Sequence, residues 1–437
     1  MSLNIKTRRR PRGKLHGLKE AIIQIEKEFG RKWLESNDSN PLMNLWMRTD
    51  VFATIQLFQL GYSINKIRNL NKKWFNNAIG KIKGGTPGER RGAILEVFIA
   101  SQFHNPPNRI VILPRPNNPG YDIKVLHKNG SVIYCQVKNN NWSDQYDIMK
   151  YKARSVEQIL EANIASDALQ VIIKIDTDPD DSDWYSLKNR LPELLKEEKF
   201  ENSNGVTEGR WNVKIDRMHS QGNLFHPDRK TYVMQLITPI PQIEKNGILG
   251  DITEACDVLE KKKEPDTDNS INIALICIPL DAPFSLCGGW INEYFDTHPN
   301  ARISGALLYK PGVVADLEKD ENFLSHAYHL IIKKGKEDWI KTITTLDISV
   351  GRGSISIEGT NNYDNFVQLC DGNRRDNYIG YHVYQSGSIN YLIKKTGSVR
   401  LHNYFGINEN VFYIDSDRKE KLAPTDLPRD LDLVLLR

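Results

Sequence analysis

The spacing of apolar positions changes along the chain and divides it into three parts. Residues 15–85 place apolar side chains three or four positions apart, as in "LKEAIIQIEKEFGRKWLES", and this spacing predicts a largely helical region. From residue 88 onward, strands with alternating or continuous apolar positions are interleaved with amphipathic helices. After about residue 340 the pattern indicates strands separated by frequent turns. The predicted fold class is therefore α/β (α+β).

The segment between residues 88 and 176 has the most regular order of predicted elements. A helix at 88–103 is followed by strands at 109–114, 121–127 and 132–138, by a helix at 144–163 and by a buried strand at 168–176. This αβββαβ order predicts a sheet-based domain at 86–230. A helical region at 1–85 precedes it. A mixed α/β to β-rich C-terminal domain at 231–437 follows, and we expect it to serve target recognition or dimerisation.

Two polar residues stand out on the strand "VIYCQVK". Side chains alternate along a strand, so Gln136 and Lys138 point to the same face. Both residue types are poor strand formers, and the strand otherwise has the composition of an interior one. Either the pair lies on the exposed face of an edge strand, or it serves a site.

The length of the turn before this strand decides whether Asp122 joins the pair. A two-residue turn at the Asn-Gly pair 129–130 places Asp122 opposite Val137 and facing away from Gln136. A loop one residue longer places Asp122 directly opposite Gln136. The longer loop needs a residue with left-handed backbone geometry, which its glycine accepts without strain. Only the longer loop gathers all three polar groups.

These groups have the chemistry of a hard-metal site beside a cation. Mg²⁺ prefers oxygen ligands, which Asp122, the amide of Gln136 and the backbone carbonyl of Val137 can supply. Lys138 is no ligand, but it can orient or deprotonate an attacking water or stabilise developing phosphorane charge. Glu96, an acid among apolar neighbours in "AILEVFIA", can add the negative charge that a glutamine does not bring.

Simpler interpretations exist for the two carboxylates. Asp122 is also placed to cap the start of its strand. Glu96 can form a salt bridge with Arg90 or Arg91 on its own helix. Glu89, seven residues earlier on the same helix face, is the reserve candidate for the helical carboxylate.

The sequence resembles the PD-(D/E)xK nuclease superfamily in helix Glu96, in "PGYD" ending at Asp122, and in "QVK" with Gln136 and Lys138. The QxK form is similar to Mrr-type restriction endonucleases, in which Gln replaces the usual Glu. The resemblance covers roughly residues 88–176 of the predicted order. It implies a restriction-endonuclease-like core and Mg²⁺-dependent phosphodiester hydrolysis, with Mn²⁺ as a substitute. Asp122 and Gln136 would then sit at the metal and Lys138 at the water.

The charge distribution adds a nucleic-acid partner to this picture. The net charge is only +4, but the segment at 6–14 and the span from Lys66 to Arg91 are strongly basic. The cations of the span, with Trp74 and Phe75 among them, are Lys66, Arg68, Lys72, Lys73, Lys81, Lys83, Arg90 and Arg91. Clustered cations are typical of surfaces that contact a phosphate backbone. The alternative is a solvated helix face without a partner.

Cysteine usage and hydropathy bear on the cell compartment. The five cysteines form no CxxC pair, which argues against a zinc site or a disulfide framework and fits a reducing cytoplasm. No apolar run is long enough to span a membrane, and no apolar segment follows the basic N-terminus as a secretory signal requires. We expect a cytoplasmic protein without a membrane partner.

The resulting hypothesis is a Mg²⁺-dependent DNA endonuclease in restriction or phage defence, acting on double-stranded DNA. Cutting both strands requires two active sites, which favours a homodimer. Two alternatives remain. One is a nucleic-acid-binding or assembly protein that keeps the nuclease fold with little activity. The other is a structure-specific resolvase or repair nuclease.

Overall fold

The fold comes from a computed structural model of the chain. It describes residues 17–36, 40–47, 51–114, 120–141, 143–163, 169–196, 205–217, 232–239, 241–262, 264–267, 269–279, 282, 284–316, 321–336, 348–349, 354–355, 378–386, 389–393, 399–401, 411–415 and 420–425. The basic segment at 6–14 and the proline of "PGYD" lie outside these residues.

Helices dominate the first hundred residues and then alternate with strands. They are α1 (Leu18–Phe29), α2 (Arg31–Leu34), α3 (Pro41–Met47), α4 (Val51–Ile67), α5 (Lys72–Gly84), α6 (Pro87–Phe103), α7 (Asp144–Asn163), α8 (Asp181–Lys196), α9 (Gln242–Glu260) and α10 (Phe284–Thr297). The helical region expected before residue 85 is therefore confirmed where the chain is described.

Strands begin after α6 and continue through the described C-terminal segments. The strands up to residue 277 are β1 (Arg109–Ile112), β2 (Ile123–His127), β3 (Val132–Asn139), β4 (Leu169–Lys174), β5 (Val206–Glu208), β6 (Trp211–Arg217), β7 (Tyr232–Pro239) and β8 (Ser270–Cys277). The later strands are β9 (Gly305–Asp316), β10 (Glu321–Ile332), β11 (Ile348–Ser349), β12 (Ser354–Ile355), β13 (Tyr378–Ser386), β14 (Ile389–Ile393), β15 (Val399–Leu401), β16 (Val411–Asp415) and β17 (Glu420–Thr425). A mixed α/β class is thus confirmed.

The first six-stranded sheet has the order β1-β2-β3-β8-β9-β10. Strands β1, β2 and β3 are antiparallel neighbours, whereas β3, β8 and β9 run parallel. One face of the hairpin β2–β3 buries Val125, Ile133 and Cys135 in the same core as Val97 and Phe98 of α6. The helix therefore packs its apolar side on this sheet, and Glu96 lies near its middle.

The second six-stranded sheet has the order β14-β13-β7-β4-β6-β5. Its strands β4 and β7 are parallel neighbours, and β4 and β6 are antiparallel. Apolar side chains of α7, α8, β4 and β6 form its core, with Trp184 and Trp211 in tilted ring contact.

The strand predicted to close the αβββαβ order is the wrong one. Strand β4 (Leu169–Lys174) belongs to the second sheet, and the parallel neighbour of β3 is β8, which α9 precedes. Both strands are continuous apolar runs, so periodicity alone cannot tell which one pairs with β3. The parallel neighbour of β3 therefore comes from more than a hundred residues further along the chain.

Two compact units divide the chain differently from the predicted domains. The first comprises residues 1–141, 246–360 and 428–437, and the second comprises residues 142–245 and 361–427. The boundaries predicted at 85/86 and 230/231 do not coincide with this division. The second unit interrupts the first between β3 and α9, which sequence order alone did not show.

None of the described helices is both long enough and apolar enough to cross a membrane.

Candidate active site

The β2–β3 hairpin has the longer of the two predicted loops. Ile123 pairs with Cys135 and Leu126 with Val132, and this register continues to place Asp122 opposite Gln136. The loop closes with the amide of Gly130 donating to the carbonyl of His127 at 2.9 Å. Gly130 has φ +86°, in the left-handed region that favours glycine. The predicted register is therefore confirmed.

Asp122 lies at the end of the strand ladder, where its backbone and side chain are both anchored to β3. Its amide donates to the carbonyl of Cys135 at 3.0 Å, and the amide of Val137 donates to its Oδ2 at 2.8 Å. Burial raises the pKa of Asp122 to about 6, although the Val137 hydrogen bond and the charge of Lys138 lower it. One carboxylate oxygen is thus fixed by the backbone, which sets the direction of the other.

Gln136 is a buried polar residue of this region whose hydrogen-bonding capacity is not fully satisfied by the described residues. Its side chain is only 7% exposed, and its buried Oε1 has no hydrogen-bond partner among the described residues. A buried carbonyl oxygen without a hydrogen-bond partner lowers the folding stability by about 1–3 kcal/mol. The next cross-strand pair on the same face has no such deficit, since Lys124 and the hydroxyl of Tyr134 both contact Glu264.

Glu96 of α6 lies within electrostatic reach of Asp122 and Lys138. Burial raises the pKa of Glu96 to about 8, the negative charge of Asp122 raises it further, and Lys138 opposes the shift. The two carboxyls therefore repel each other in the absence of a neutralising charge. Such a pair is a typical cation site.

Glu89, the reserve candidate, has a different task. Its side chain accepts hydrogen bonds from the amide and hydroxyl of Thr86, at 2.8 and 3.0 Å, in a capping box at the start of α6. These bonds lower the pKa of the exposed Glu89. The helical carboxylate at the site is therefore Glu96.

Three charged residues that sequence reasoning did not assign to the site lie against it. Lys138 Nζ is 2.5 Å from Glu254 Oε1 on α9, and Asp251 of the same helix accepts from Asn140 Nδ2 at 2.8 Å. The charge of Lys81 on α5 lowers the pKa of both Glu96 and Asp122. Nothing in the local pattern marks residues of α9, because they follow β3 by more than a hundred positions.

The predicted nucleic-acid-binding cations divide into several environments. Arg68 is occupied within the fold, since its Nη1 donates to Gln24 Oε1 at 2.9 Å and lies 4.0 Å from Glu28. Burial, together with Arg109, lowers the pKa of Lys66 to about 8. Neither residue is thus a freely solvated phosphate ligand.

The remaining basic residues lie on or between α5 and α6. Lys72 and Lys73 are exposed, Lys81 is half-buried, and the Lys83 ammonium sits 5.7 Å from the ring centroid of Trp33. In α6, Arg90 is half-buried, with an Nε that lacks a partner among the described residues, and Arg91 Nε donates to the carbonyl of Pro87 at 3.3 Å. Lys72 and Lys73 are therefore the exposed cations of this group, and the charge of Lys81 acts on the candidate site.

The donor set fits a small hard cation better than a softer metal. No group of three His, Cys, Asp or Glu side chains that could hold a metal occurs within the part of the chain that the structure describes. The candidate set instead combines two carboxylates, Asp122 and Glu96, with the orphaned amide oxygen of Gln136. Two carboxylates and neutral oxygens, with water completing the shell, are what Mg²⁺ accepts. The residues present therefore fit the implied metal.

Comparison of the chain with protein-family models, curated proteins and solved structures finds no significant match. The functional argument therefore rests on the geometry of the site itself.

Proposed function

We propose that the protein is a Mg²⁺-dependent nuclease with a restriction-endonuclease-like core, similar to PD-(D/E)xK enzymes, that hydrolyses phosphodiester bonds in DNA. The observation that carries the proposal is the orphaned Oε1 of Gln136, which the β2–β3 register places opposite Asp122. Asp122 and Glu96, whose charges interact, are two carboxyls with raised pKa values. A cation at this position would satisfy the oxygen and neutralise the repulsion between the acids together.

The residues that would hold the ion are Asp122, Glu96 and Gln136, with the backbone carbonyl of Val137 as a fourth oxygen. When bound, Mg²⁺, or Mn²⁺ in its place, supplies charge neutralisation at the phosphate and lowers the pKa of a coordinated water. The protein fixes the carboxylate of Asp122 through the amide of Val137. Such anchoring limits the reorganisation needed when substrate binds.

Lys138 supplies a positively charged side chain beside the proposed metal site. It lies on the same face of β3 as Gln136, and its charge acts on Asp122 and Glu96. From this position its ammonium can orient the attacking water and stabilise negative charge that develops on the phosphate. Because its side chain is only 12% exposed, little bulk water screens this interaction.

The surface beside the site supports a nucleic-acid backbone as the substrate. Gly80 in the middle of α5 and Gly92 in α6 are glycines at which an added Cβ would meet no heavy atom of the described residues within 4 Å. A glycine inside a helix costs about 1 kcal/mol relative to alanine, and neither position has a packing reason for it. Gly92 lies one turn before Glu96, and Gly80 adjoins Lys81. Close approach of a sugar–phosphate backbone would explain both glycines.

Restriction or phage defence, with a homodimer that cuts both strands, is the biological setting that we propose for this chemistry. A single chain offers one Asp122–Gln136–Lys138 group, and a double-strand break needs two in-line attacks.

Plasmid cleavage tests the proposal. Supercoiled DNA is incubated with the wild-type protein in Mg²⁺, Mn²⁺ or EDTA, and with Asp122→Ala and Lys138→Ala variants. We expect nicked or linear DNA only with the wild type and a divalent ion. The proposal fails if the wild type cuts neither DNA nor RNA, or if cutting survives both substitutions. Retained DNA binding by inactive variants would separate substrate contact from chemistry.

A further inference from the structure

Two polar contacts join the end of strand β3 and the residue that follows it to helix α9 next to the candidate site. Lys138 Nζ lies 2.5 Å from Glu254 Oε1, and Asn140 Nδ2 donates to Asp251 Oδ2 at 2.8 Å. Residues two apart on a strand share a side, and residues three apart on a helix are neighbours on one face. One face of α9 therefore meets the chain at Lys138, near the end of β3, and at Asn140, just beyond it.

The two members of the ion pair are buried to different extents. The more buried member, Lys138, depends more on the pair for stabilisation of its charge. The Lys138 side chain is 12% exposed, whereas that of Glu254 is 65% exposed. Glu254 would be well solvated without a partner. Lys138 would not, because its neighbour in the parallel ladder is the fully buried Ile276. Removing the partner of a largely buried ammonium is costly, so the pair holds the lysine rather than the glutamate.

The charge of Lys138 also acts on three other acids, which are Asp122, Glu96 and Asp251. Each of them is engaged elsewhere, and Asp251 accepts from Asn140. Asp122 is anchored by the amide of Val137, and in the proposed site Asp122 and Glu96 both bind the metal. If Lys138 took either of them as its partner, it would compete with the cation. Glu254 supplies a carboxylate from α9 that leaves those two oxygen donors available to the metal.

We infer that Glu254 is a positioning residue for Lys138. Its carboxylate holds the ammonium on the Gln136 side of β3, where the lysine can reach the attacking water, and it does not itself bind the metal. This inference rests on the proposed nuclease function. It assigns a role to a residue that lies far from β3 in sequence and that only the fold brings to the site.

Kinetics separate positioning from metal binding. In Glu254→Gln, which keeps the shape and removes the charge, we expect kcat on DNA to fall about 10- to 100-fold. KM for DNA and the calorimetric affinity for Mn²⁺ should stay within about twofold, and Glu254→Asp should recover part of kcat. In a Lys138→Ala background, Glu254→Gln should cause no further loss. Losses that multiply, or a loss that appears as weaker Mn²⁺ binding, would overturn the inference.

A second readout does not depend on catalysis. Acylation of lysines, followed by peptide mass spectrometry, reports how freely each ammonium reaches solvent. We expect Lys138 to be labelled several-fold faster in Glu254→Gln than in the wild type. The matched control is Asp181→Asn, which removes the carboxylate 2.6 Å from Lys152 in the second compact unit. It should release Lys152 and leave Lys138 unchanged.

The two assays fail in distinguishable ways. If the wild type cuts no nucleic acid, the proposed nuclease function is wrong, whereas the labelling result still decides whether Glu254 holds Lys138. If cleavage is observed but Lys138 labelling is the same in both proteins, the nuclease proposal stands and the role of Glu254 is wrong.

Discussion

Strand β6 of the second sheet and strand β3 of the first both alternate apolar with polar side chains. On β6, Lys214 and Asp216 share a face and pair with each other at 2.9 Å, with side chains 36% and 32% exposed. On β3, Gln136 is 7% exposed and its Oε1 has no partner among the described residues. The same alternation of apolar and polar residues therefore gives a partly exposed ion pair on β6 and a buried, unsatisfied amide oxygen on β3.

The two polar groups differ in their solvation and in the hydrogen-bond partners available to them. The β6 pair satisfies its own charges in contact with water, and a surface pair of this kind contributes little to stability or function. The β3 group is removed from water and leaves an oxygen unbonded and two carboxyls with raised pKa values. Burial together with unmet hydrogen bonding, rather than alternation alone, therefore marks the candidate site.

The largest effect should come from removing the lysine on each strand. We expect Lys138→Ala to lower the cleavage rate about 10²- to 10³-fold, the range for loss of one positioned group that stabilises developing charge. Lys214→Ala should change it less than about twofold, because its partner is solvated. Single-turnover cleavage of one DNA substrate by both variants measures the ratio. Equal losses would show that the two strands do not differ in function.

Gln136→Met should separate stability from function. The substitution removes the orphaned oxygen at similar volume, so we expect the metal-free protein to become more stable by about 1–3 kcal/mol. Affinity for Mn²⁺ should fall by about tenfold or more, because one neutral ligand is lost. Lys214→Met, the matched change on β6, should shift stability by less than about 0.5 kcal/mol. A destabilised Gln136→Met protein would contradict the claim that this oxygen is unsatisfied.

The pH dependence of stability follows from the raised pKa values of Asp122, about 6, and Glu96, about 8. Between their ordinary values and these, the folded protein holds protons that the unfolded chain has released. The metal-free protein should therefore lose stability as pH rises from about 4.5 to 8. Added Mg²⁺ replaces the protons, so its stabilising effect should grow over the upper part of that range.

Thermal unfolding at pH 5.5 and pH 8, with and without Mg²⁺, measures both effects. Glu96→Gln should flatten the dependence, since it removes the group whose pKa is raised most. A Mg²⁺ effect of equal size at both pH values would argue against carboxylates of raised pKa at the metal.

The smallest expected effect concerns the open glycines beside the site. Gly80→Ala and Gly92→Ala should each stabilise their helix by about 0.5–1 kcal/mol, because alanine is the better helix former. Each should weaken DNA binding several-fold if a backbone passes over them. Gly289→Ala in α10, also open to a Cβ, is the control and should stabilise without affecting binding. Unchanged binding in all three variants would place the DNA elsewhere.

The hairpin and its polar group could be predicted from the sequence because they depend on local rules. The glycine at 130 allows the longer loop, and two-residue periodicity then places Asp122 opposite Gln136. The helix with Glu96 follows from its apolar spacing. The structure adds a capping box of Thr86 and Glu89 at its start. These elements are neighbours in sequence as well as in space.

The rest depended on tertiary contacts that local patterns do not encode. Strands β4 and β8 have the same apolar character, and only the fold shows that β8 pairs with β3. Glu254 and Arg68 show the same limit at single residues. Glu254 forms an ion pair with Lys138. Arg68 donates to Gln24 and lies near Glu28, so it is not available to a phosphate.

Calorimetric titration of Mn²⁺ into the wild type, Asp122→Asn, Gln136→Met and Lys214→Met tests most directly whether the polar group of β3 is a metal site. The account predicts binding by the wild type and by Lys214→Met, and a clear loss of affinity in Asp122→Asn and Gln136→Met. Equal affinity in all four proteins, or no binding by a folded wild type, would contradict it.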